Sequence, residues 1–255
     1  MNILAIGNSF SRDATAYLHQ LLADCGVENR VVNLYIGGCP LERHWQNIEN
    51  DRADYEYQVN GQIIERRVSI RQALEEGGWD VIITQQASHD SGWIESYEPF
   101  LGKMLDYIRE KQPNARLMLQ ETWAYASDSV HPKFVRYNHS QKEMFERLYN
   151  AYHTMADRYK LPLIRSGELV QALRATEMFD EDIGRHAICR DGFHMSLRYG
   201  RYALGCLWAK MLWGITLKDN AFVPSQRIAD LEEYFPLGEV DMEAIQLIRN
   251  MVDAM

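Results

Sequence analysis

Several features that would point to particular classes of protein are missing from this 255-residue sequence. It has no run of about 18 uncharged apolar residues, so we expect no membrane-spanning helix. Positive charge is scarce, since 27 Lys and Arg stand against 36 Asp and Glu, a formal net charge of -9. No basic stripe is visible, which argues against a nucleic-acid-binding surface. The sequence also contains no internal repeat and no low-complexity segment.

The cysteines lack the CxxC spacing of metal-binding or redox motifs. Because Cys25, Cys39, Cys189 and Cys206 are scattered along the chain, we expect reduced, partly buried thiols, with a single disulfide as the alternative. The N-terminus also lacks the basic segment and cleavage site of a signal peptide. As given, the sequence predicts a cytoplasmic protein, or a periplasmic or secreted one if a leader peptide was removed.

What the sequence does contain is a series of five short apolar segments rich in Val, Ile and Leu. Consecutive apolar residues are typical of strands that are buried on both faces of a parallel sheet. The spacers are long enough for crossover helices, which predicts a three-layer α/β/α sandwich with the flavodoxin-like strand order 2-1-3-4-5. The length favours a single domain over residues 1–255. The predicted strands are Asn2–Ile6, Arg30–Ile36, Asp80–Gln85, Arg116–Glu121 and Leu163–Arg165.

A hairpin and several helices complete the predicted fold. Asn60-Gly61 separates Tyr55–Val59 from Gln62–Arg67, which is a strong hairpin signal, and we expect a small ribbon at the surface near residues 55–67. Helical patterns are present at Asp13–Cys25, Glu95–Lys111, Phe134–Tyr159, Leu197–Trp213 and in an acidic tail at 225–255.

The segment Gly7-Asn8-Ser9 follows the first predicted strand and precedes a helix. This position puts the Ser9 hydroxyl at the carboxyl edge of the sheet, where open α/β sheets bind their ligands. At the start of a helix the Ser9 backbone N–H would be unpaired and could stabilise an oxyanion. The structural alternative is that Ser9 or Ser11 only caps the helix.

The segment Asp191-Gly192-Phe193-His194 supplies the acid and the base that a nucleophilic serine needs. Its spacing lets Asp191 orient the imidazole while His194 faces the nucleophile, and Gly192 permits the tight backbone. The structural alternative is a capped helix start with a partly exposed histidine.

The order of these segments resembles that of the SGNH (GDSL-like) hydrolases, and most closely the SGNH-like family DUF4886. The resemblance runs from Asn2 to about Trp213, and it implies that Ser9 is the nucleophile, His194 the general base and Asp191 its orienting partner. The matching segments are Ile6–Ser11, Asn33–Cys39, Gln85–Ser88, Thr122–Tyr125 and Asp191–His194.

The same resemblance implies an oxyanion hole. The glycine of the second block falls on Gly38, whose N–H would act together with that of Ser9, although a glycine needed only for the turn is the alternative. The third block departs from the superfamily, because its usual asparagine is missing. Gln86, or else Gln85, would have to supply the amide, unless these glutamines bind substrate hydroxyls instead.

Together these features predict a serine esterase that removes an acyl group such as acetyl from a carbohydrate or another small polar ester. No metal or organic cofactor is implied. Trp93, Trp123 and Tyr125 are candidate substrate-binding aromatic residues. The loop Thr122–Pro132, which contains two of them, either forms the rim of the cleft or packs against the body of the protein.

Two other functions remain open. A non-catalytic module could use the same cleft to hold a polar ligand such as a carbohydrate, and the missing asparagine favours this alternative. A metal-dependent hydrolase is the other, because His186, Cys189, Asp191 and His194 are all of metal-ligating type and lie within nine positions. Their spacing matches none of the usual zinc patterns.

Overall fold

The computed structural model describes residues 1–224 and 239–255, and its centre is a seven-stranded sheet. The strands are β1 (Asn2–Gly7), β2 (Arg30–Tyr35), β3 (Tyr55–Val59), β4 (Gln62–Val68), β5 (Val81–Thr84), β6 (Arg116–Gln120) and β7 (Leu163–Ile164). Their order across the sheet is β4-β3-β2-β1-β5-β6-β7, and the five strands β2, β1, β5, β6 and β7 run parallel. These five reproduce the predicted 2-1-3-4-5 order, and the ends of each lie within one residue of its predicted bounds.

The predicted hairpin forms, but it is part of the main sheet rather than a separate ribbon. Strand β3 pairs antiparallel with β2, so that Val32 lies opposite Val59 and Tyr35 lies opposite Glu56. Strand β4 then pairs with β3 and forms the edge of the sheet. The hairpin therefore covers the edge of β2, whose backbone groups would otherwise be unpaired there.

Helices flank this sheet and give the predicted three layers. The described helices are α1 (Ser9–Thr15), α2 (Leu18–Asp24), α3 (Leu41–Glu49), α4 (Ile70–Glu75), α5 (Phe100–Lys111), α6 (Gln141–Tyr159), α7 (Ser166–Arg174), α8 (Tyr199–Trp213) and α9 (Met242–Asp253), with short 3-10 turns at Ile94–Ser96 and Phe134–Tyr137. Helix α8 contacts α1, α2, α7 and α9, whereas α3, α4 and α5 contact one another.

Three predicted helices are interrupted. The helix expected over Asp13–Cys25 consists of α1 and α2, which are separated at Ala16 and Tyr17. Helix α5 starts only after Pro99, since proline has no N–H and restricts the residue before it. Helix α6 starts after Ser140, whose side chain accepts the N–H of Glu143, and the preceding 3-10 turn is not part of it.

The C-terminal tail agrees with the prediction where it is described. Helix α9 begins after Asp241, whose side chain accepts the backbone N–H groups of Glu243 and Ala244. Residues 225–238, including Pro236-Leu237-Gly238, lie outside the described part of the chain. None of the described helices is both long and apolar enough to cross a bilayer. All four cysteines are free thiols.

Candidate active site

The first turn of α1 is organised by Asn8, which follows β1 directly. Its Oδ1 accepts the N–H of Phe10 at 3.1 Å, and its Nδ2 donates to the Cys39 carbonyl oxygen at 3.2 Å. Asparagine is a favoured N-cap residue. The alternative that Ser9 or Ser11 caps this helix is therefore wrong, because Asn8 does so and Ser9 is the first helical residue.

The two serines of this turn have different surroundings. The hydroxyl of Ser11 is buried and lies 2.8 Å from the Asn8 carbonyl oxygen and 2.7 Å from Asn33 Oδ1. Ser9 is partly exposed, and its hydroxyl makes no hydrogen bond with any described residue. Its N–H, in the first helical position, has no partner within the helix. Ser9 is therefore the serine of this turn that a ligand can reach.

Asp191 and His194, which we call the acid–base pair, are in direct contact. His194 Nδ1 lies 2.7 Å from Asp191 Oδ2, and Asp191 Oδ1 accepts the backbone N–H of His194 at 2.7 Å. Burial would raise the pKa of Asp191, but these hydrogen bonds outweigh it and lower the pKa to about 2. The ionised carboxylate thus holds the proton on Nδ1 and leaves Nε2 free to accept one.

The acid–base pair occupies the tip of a hairpin-like loop rather than the start of a helix. The N–H of Arg190 donates to the carbonyl oxygen of His194 at 2.9 Å, and Cys189 and Met195 form an isolated bridge. Gly192 has a φ of +84°, and a Cβ there would lie 2.8 Å from the Ser129 Cα. Glycine is required at this turn for both reasons.

Helix α1 holds this loop through Asp13, a fully buried carboxylate. Asp13 Oδ2 accepts the N–H of Met195 at 2.8 Å, while Oδ1 accepts from Arg201 Nε at 2.8 Å and from Arg190 Nη1 at 3.2 Å. Burial alone would raise the pKa of Asp13, but the two guanidinium groups lower it below its usual value. Since α1 begins at Ser9, one short helix carries the candidate nucleophile and anchors the loop of the acid–base pair.

A ring contact also brings His194 to the first turn of α1. The ring centroids of Phe10, the residue after Ser9, and His194 are 6.2 Å apart. The sequence alone does not reveal the role of Asp13, because the three residues that it bonds lie 177 to 188 positions away in the chain.

The second predicted oxyanion donor, Gly38, lies in the turn after β2. Gly38 is exposed, and its φ of +59° favours glycine. Its N–H makes no hydrogen bond with any described residue. Because Asn8 is bonded to Cys39, this turn is attached to the start of α1.

The two glutamines after β5 are buried and bonded to the protein. Gln86 Oε1 accepts the N–H of Leu41 at 2.9 Å, and Nε2 lies 3.0 Å from both Oγ and the carbonyl oxygen of Ser96. In this conformation Gln86 has no free amide hydrogen, so its predicted oxyanion role has no support here. Gln85 Nε2 donates to Asn8 Oδ1 at 2.8 Å, which puts this amide beside the turn that holds Ser9.

Trp123 and Tyr125 are fully buried, so the expectation that they contact substrate needs correction. The Trp123 ring stacks on Phe10 with centroids 4.0 Å apart, and its indole N–H donates to the Phe193 carbonyl oxygen at 2.7 Å. The Tyr125 hydroxyl lies 2.9 Å from Ser88 Oγ. Both rings therefore pack against the body of the protein, which is one of the two arrangements predicted for this loop, and neither forms the rim of a cleft. Trp123 and Tyr125 support the site through their contacts with Phe193, the residue before His194.

The remaining predicted aromatic residue, Trp93, is partly buried between two guanidinium groups. The guanidinium carbons (Cζ) of Arg136 and Arg147 lie 4.7 and 4.9 Å from the centroid of the Trp93 ring. His131, which belongs to the loop Thr122–Pro132, packs against Phe193 of the segment that contains the acid–base pair and stacks with His89. The His131 ring is 4.9 Å from that of Phe193 and 6.2 Å from that of His89. Burial lowers the pKa of both histidines, so they are neutral polar groups.

The predicted alternative of a metal site around the acid–base pair is not supported by the geometry. His186 Nε2 contacts Asp241 at 2.9 Å, and the Cys189 sulfur accepts from Arg174 at 3.4 Å. In the described part of the chain, these two residues and the acid–base pair do not bring their ligand atoms together.

A cavity of about 590 Å³ opens next to Asp191. Residues of two loops, 126–130 and 179–192, line it. Several carboxylates and the imidazole of His186 contribute to its wall, which is therefore suited to a polar ligand, but neither Ser9 nor His194 lines it.

Comparison with known proteins identifies the family. Residues 2–232 match the family described as Domain of unknown function (DUF4886). The chain belongs to the DUF4886 family. A crystal structure of a DUF4886 family protein from Bacteroides uniformis is 34% identical, with a TM-score of 0.86 over 100% of this chain and 93% of that one. None of the curated proteins compared with this sequence matches it significantly.

Other solved structures share the fold of this DUF4886 protein at lower identity, and they show an SGNH-like fold. A putative SGNH hydrolase from Slackia heliotrinireducens is 21% identical, with a TM-score of 0.56 over 83% of this chain and 98% of that one. A lipase/acylhydrolase from Enterococcus faecalis is 16% identical, with a TM-score of 0.54 over 84% and 95%. An acetylxylan esterase from Geobacillus stearothermophilus, solved as a catalytic mutant, is 12% identical, with a TM-score of 0.53 over 87% and 94%.

Proposed function

We propose that this DUF4886 protein is a serine ester hydrolase that removes an acyl group, such as acetyl, from a carbohydrate or another small polar ester. The observation that carries the proposal is the 2.7 Å contact between His194 Nδ1 and Asp191 Oδ2. Both residues belong to a loop that Asp13 holds against α1, the helix that begins at Ser9. Serine hydrolysis requires a histidine oriented by a carboxylate and an accessible serine hydroxyl within its reach. The first two elements are present, and the proposal brings His194 Nε2 to Ser9 Oγ when the ester binds, since no hydrogen bond joins them in this structure.

In the proposed reaction, the Ser9 hydroxyl oxygen attacks the ester carbonyl carbon while His194 Nε2 accepts the hydroxyl proton. The N–H groups of Ser9 and Gly38 stabilise the resulting oxyanion. The intermediate then expels the alcohol, which takes the proton from His194, and leaves Ser9 acylated. His194 next removes a proton from water, whose oxygen attacks the acyl carbon of the acyl-enzyme. The bond from this carbon to Ser9 Oγ then breaks, His194 returns the proton to Oγ, and the carboxylic acid leaves.

Two observations support a polar alcohol as the leaving group. The cavity next to Asp191 is lined by several carboxylates, which can bond to the hydroxyls of a sugar that extends past the acid–base pair, although Ser9 and His194 do not line it. One structure with the same fold is an acetylxylan esterase, although its identity to this chain is only 12%. We therefore propose acetylated oligosaccharides as the first substrates to assay.

The proposal is tested by hydrolysis of p-nitrophenyl acetate and by labelling with a fluorophosphonate probe. We expect Ser9→Ala to lower kcat/KM by at least about 1000-fold, since removal of the nucleophile leaves only binding and the oxyanion donors. The same variant should lose the fluorophosphonate label, and a chelator should leave wild-type activity unchanged.

Ser11→Ala is the matched control, because this serine lies two residues away but its hydroxyl is bonded within the protein. It should keep the label while it unfolds at a lower temperature. Full activity in Ser9→Ala contradicts the serine mechanism. An intact wild type that hydrolyses no acyl ester and takes no label would instead support the polar-ligand-binding module, which binding of acetylated oligosaccharides would then identify.

A further inference from the structure

A second polar cluster lies at the carboxyl end of β6 and is centred on Glu121. The backbone N–H of Glu121 donates to the Ile164 carbonyl oxygen at 2.9 Å, which joins the ends of β6 and β7. Its side chain reaches the first turn of α7, where Oε2 accepts the N–H of Glu168 at 2.9 Å. Oε2 therefore satisfies one of the unpaired N–H groups at this helix start.

The other carboxylate oxygen of Glu121 has no such partner. The side chain is fully buried, and Oε1 contacts no hydrogen-bond donor among the described residues. A buried oxygen without a partner is costly, so it indicates a missing donor or cation.

Two further side chains of metal-ligating type, those of His153 and Glu168, lie next to the carboxylate of Glu121. His153 of α6 contacts Glu168 Oε1 through Nε2 at 3.0 Å. One carboxylate oxygen each of Glu121 and Glu168 and one ring nitrogen of His153 all lie within 4.8 Å of one another. Arg165 approaches the other oxygen of Glu168, Oε2, at 3.6 Å, so it does not occupy the space between Oε1 and the imidazole.

The cluster is also accessible. The side chains of His153 and Glu168 are 36% and 23% exposed, whereas Glu121 forms the buried end. The ligand atoms would have to move closer together to lie about 2.0–2.2 Å from a zinc ion, and the two outer side chains are the exposed ones of the three.

We propose that Glu121, His153 and Glu168 bind a divalent transition-metal ion of the Zn²⁺ type. Two carboxylates and one imidazole form a mixed oxygen and nitrogen ligand set, which suits Zn²⁺ better than Mg²⁺. The ion replaces the hydrogen bond between His153 and Glu168 and supplies the partner that Glu121 Oε1 lacks. It connects α6, β6 and α7, and its role is structural and independent of the proposed esterase reaction.

The test uses the full-length protein after treatment with EDTA and removal of the chelator. We expect calorimetric titration with Zn²⁺ to give a site with a Kd below about 10 µM, and we expect bound Zn²⁺ to raise the melting temperature. Co²⁺ in place of Zn²⁺ should produce visible d–d absorption. Mg²⁺ at the same concentration should produce neither binding heat nor a change in melting temperature.

His153→Gln and Glu168→Gln each remove one ligand, and the second keeps the backbone N–H that Glu121 accepts. Both should weaken this site at least about tenfold and lose the Co²⁺ absorption. His19→Gln, which removes a partly exposed histidine of α2, is the matched control and should bind like the wild type. The proposal is overturned if the wild type binds no Zn²⁺, or if folded His153→Gln or Glu168→Gln binds with unchanged stoichiometry and affinity.

Discussion

At the scale of single residues, three neighbours in one turn have three separate tasks. Asn8 caps α1, Ser11 joins the turn to Asn33 of β2, and Ser9 is left exposed with an unbonded hydroxyl. The sequence correctly drew attention to this turn, but it could not assign the cap. Serine and asparagine are both good caps, and the choice between them depends on the backbone angles that the packed turn adopts.

His44 shows a residue-scale effect that pH can test. Its side chain is fully buried, and Nδ1 lies 2.7 Å from the Tyr55 hydroxyl. Burial lowers the pKa of His44 to about 3. The unfolded chain therefore binds a proton at this residue below about pH 6.5, whereas the folded chain does not until about pH 3. The contribution of neutral His44 to stability is present above pH 6.5 and is lost as the pH falls through this window.

We expect His44→Phe, which cannot bind a proton, to lose less stability than the wild type between pH 7 and pH 4. Over this pH range, the free energy of unfolding of the wild type should fall by about 3 kcal/mol more than that of His44→Phe. Urea unfolding at several pH values measures it. Parallel curves for His44→Phe and the wild type would contradict the burial argument.

At the scale of secondary-structure elements, local signals located the strands well and the helix ends less well. The apolar segments of the parallel strands are short and continuous, so their bounds are visible in the sequence. Helix ends depend on single residues such as Pro99 and Ser140, which interrupt an otherwise helical pattern. The hairpin was correctly predicted from Asn60-Gly61, but its pairing with β2 was not. Nothing in the residues of β2 shows that one of its edges needs a partner strand.

The hairpin turn offers a prediction about this element. Gly61 has a φ of +81°, and a Cβ there would lie 2.4 Å from the carbonyl oxygen of Ala16, between α1 and α2. Gly61→Ala should therefore lower the free energy of unfolding by about 2–4 kcal/mol, through both backbone strain and the clash. Thermal or urea unfolding measures this loss.

Gly26 provides the comparison, since its φ is +73° but nothing lies within 4 Å of its Cβ position. Gly26→Ala should cost only about 1 kcal/mol, the strain of the left-handed backbone. Equal losses in the two variants would mean that the close approach of the hairpin to Ala16 does not matter.

At the scale of the whole molecule, Asp13 connects segments far apart in the chain. It bonds to Arg190, 177 residues away, and to Arg201, 188 residues away. The loop with the acid–base pair is therefore held by a buried ion-pair network rather than by its neighbours in sequence. Loss of the Asp13 carboxylate removes the negative charge that both guanidinium groups contact, and breaking a buried ion pair in this way is strongly destabilising.

We expect Asp13→Asn to lower the stability by about 3–5 kcal/mol, because two guanidinium groups lose their counter-charge. If the protein has the proposed esterase activity, the kcat of this variant on p-nitrophenyl acetate should fall by about 10- to 100-fold with little change in KM. The reason is that the substitution displaces the general base His194 and leaves the substrate-binding surface in place. Steady-state kinetics on folded protein and urea unfolding measure the two effects. Asp24→Asn, which changes an exposed acid of α2, should alter neither, and wild-type values in Asp13→Asn would refute its positioning role.

The order of residues alone was enough to predict the parallel sheet, its strand order, the family and the pairing of Asp191 with His194. Each of these depends on patterns within a few residues or on the sequence of short segments along the chain. Burial of Trp123 and Tyr125, the bonds of Gln86 and the anchoring by Asp13 were decided only in the folded molecule. They depend on contacts between segments distant in the chain, and the free energy of such contacts comes from packing and desolvation that no local pattern contains.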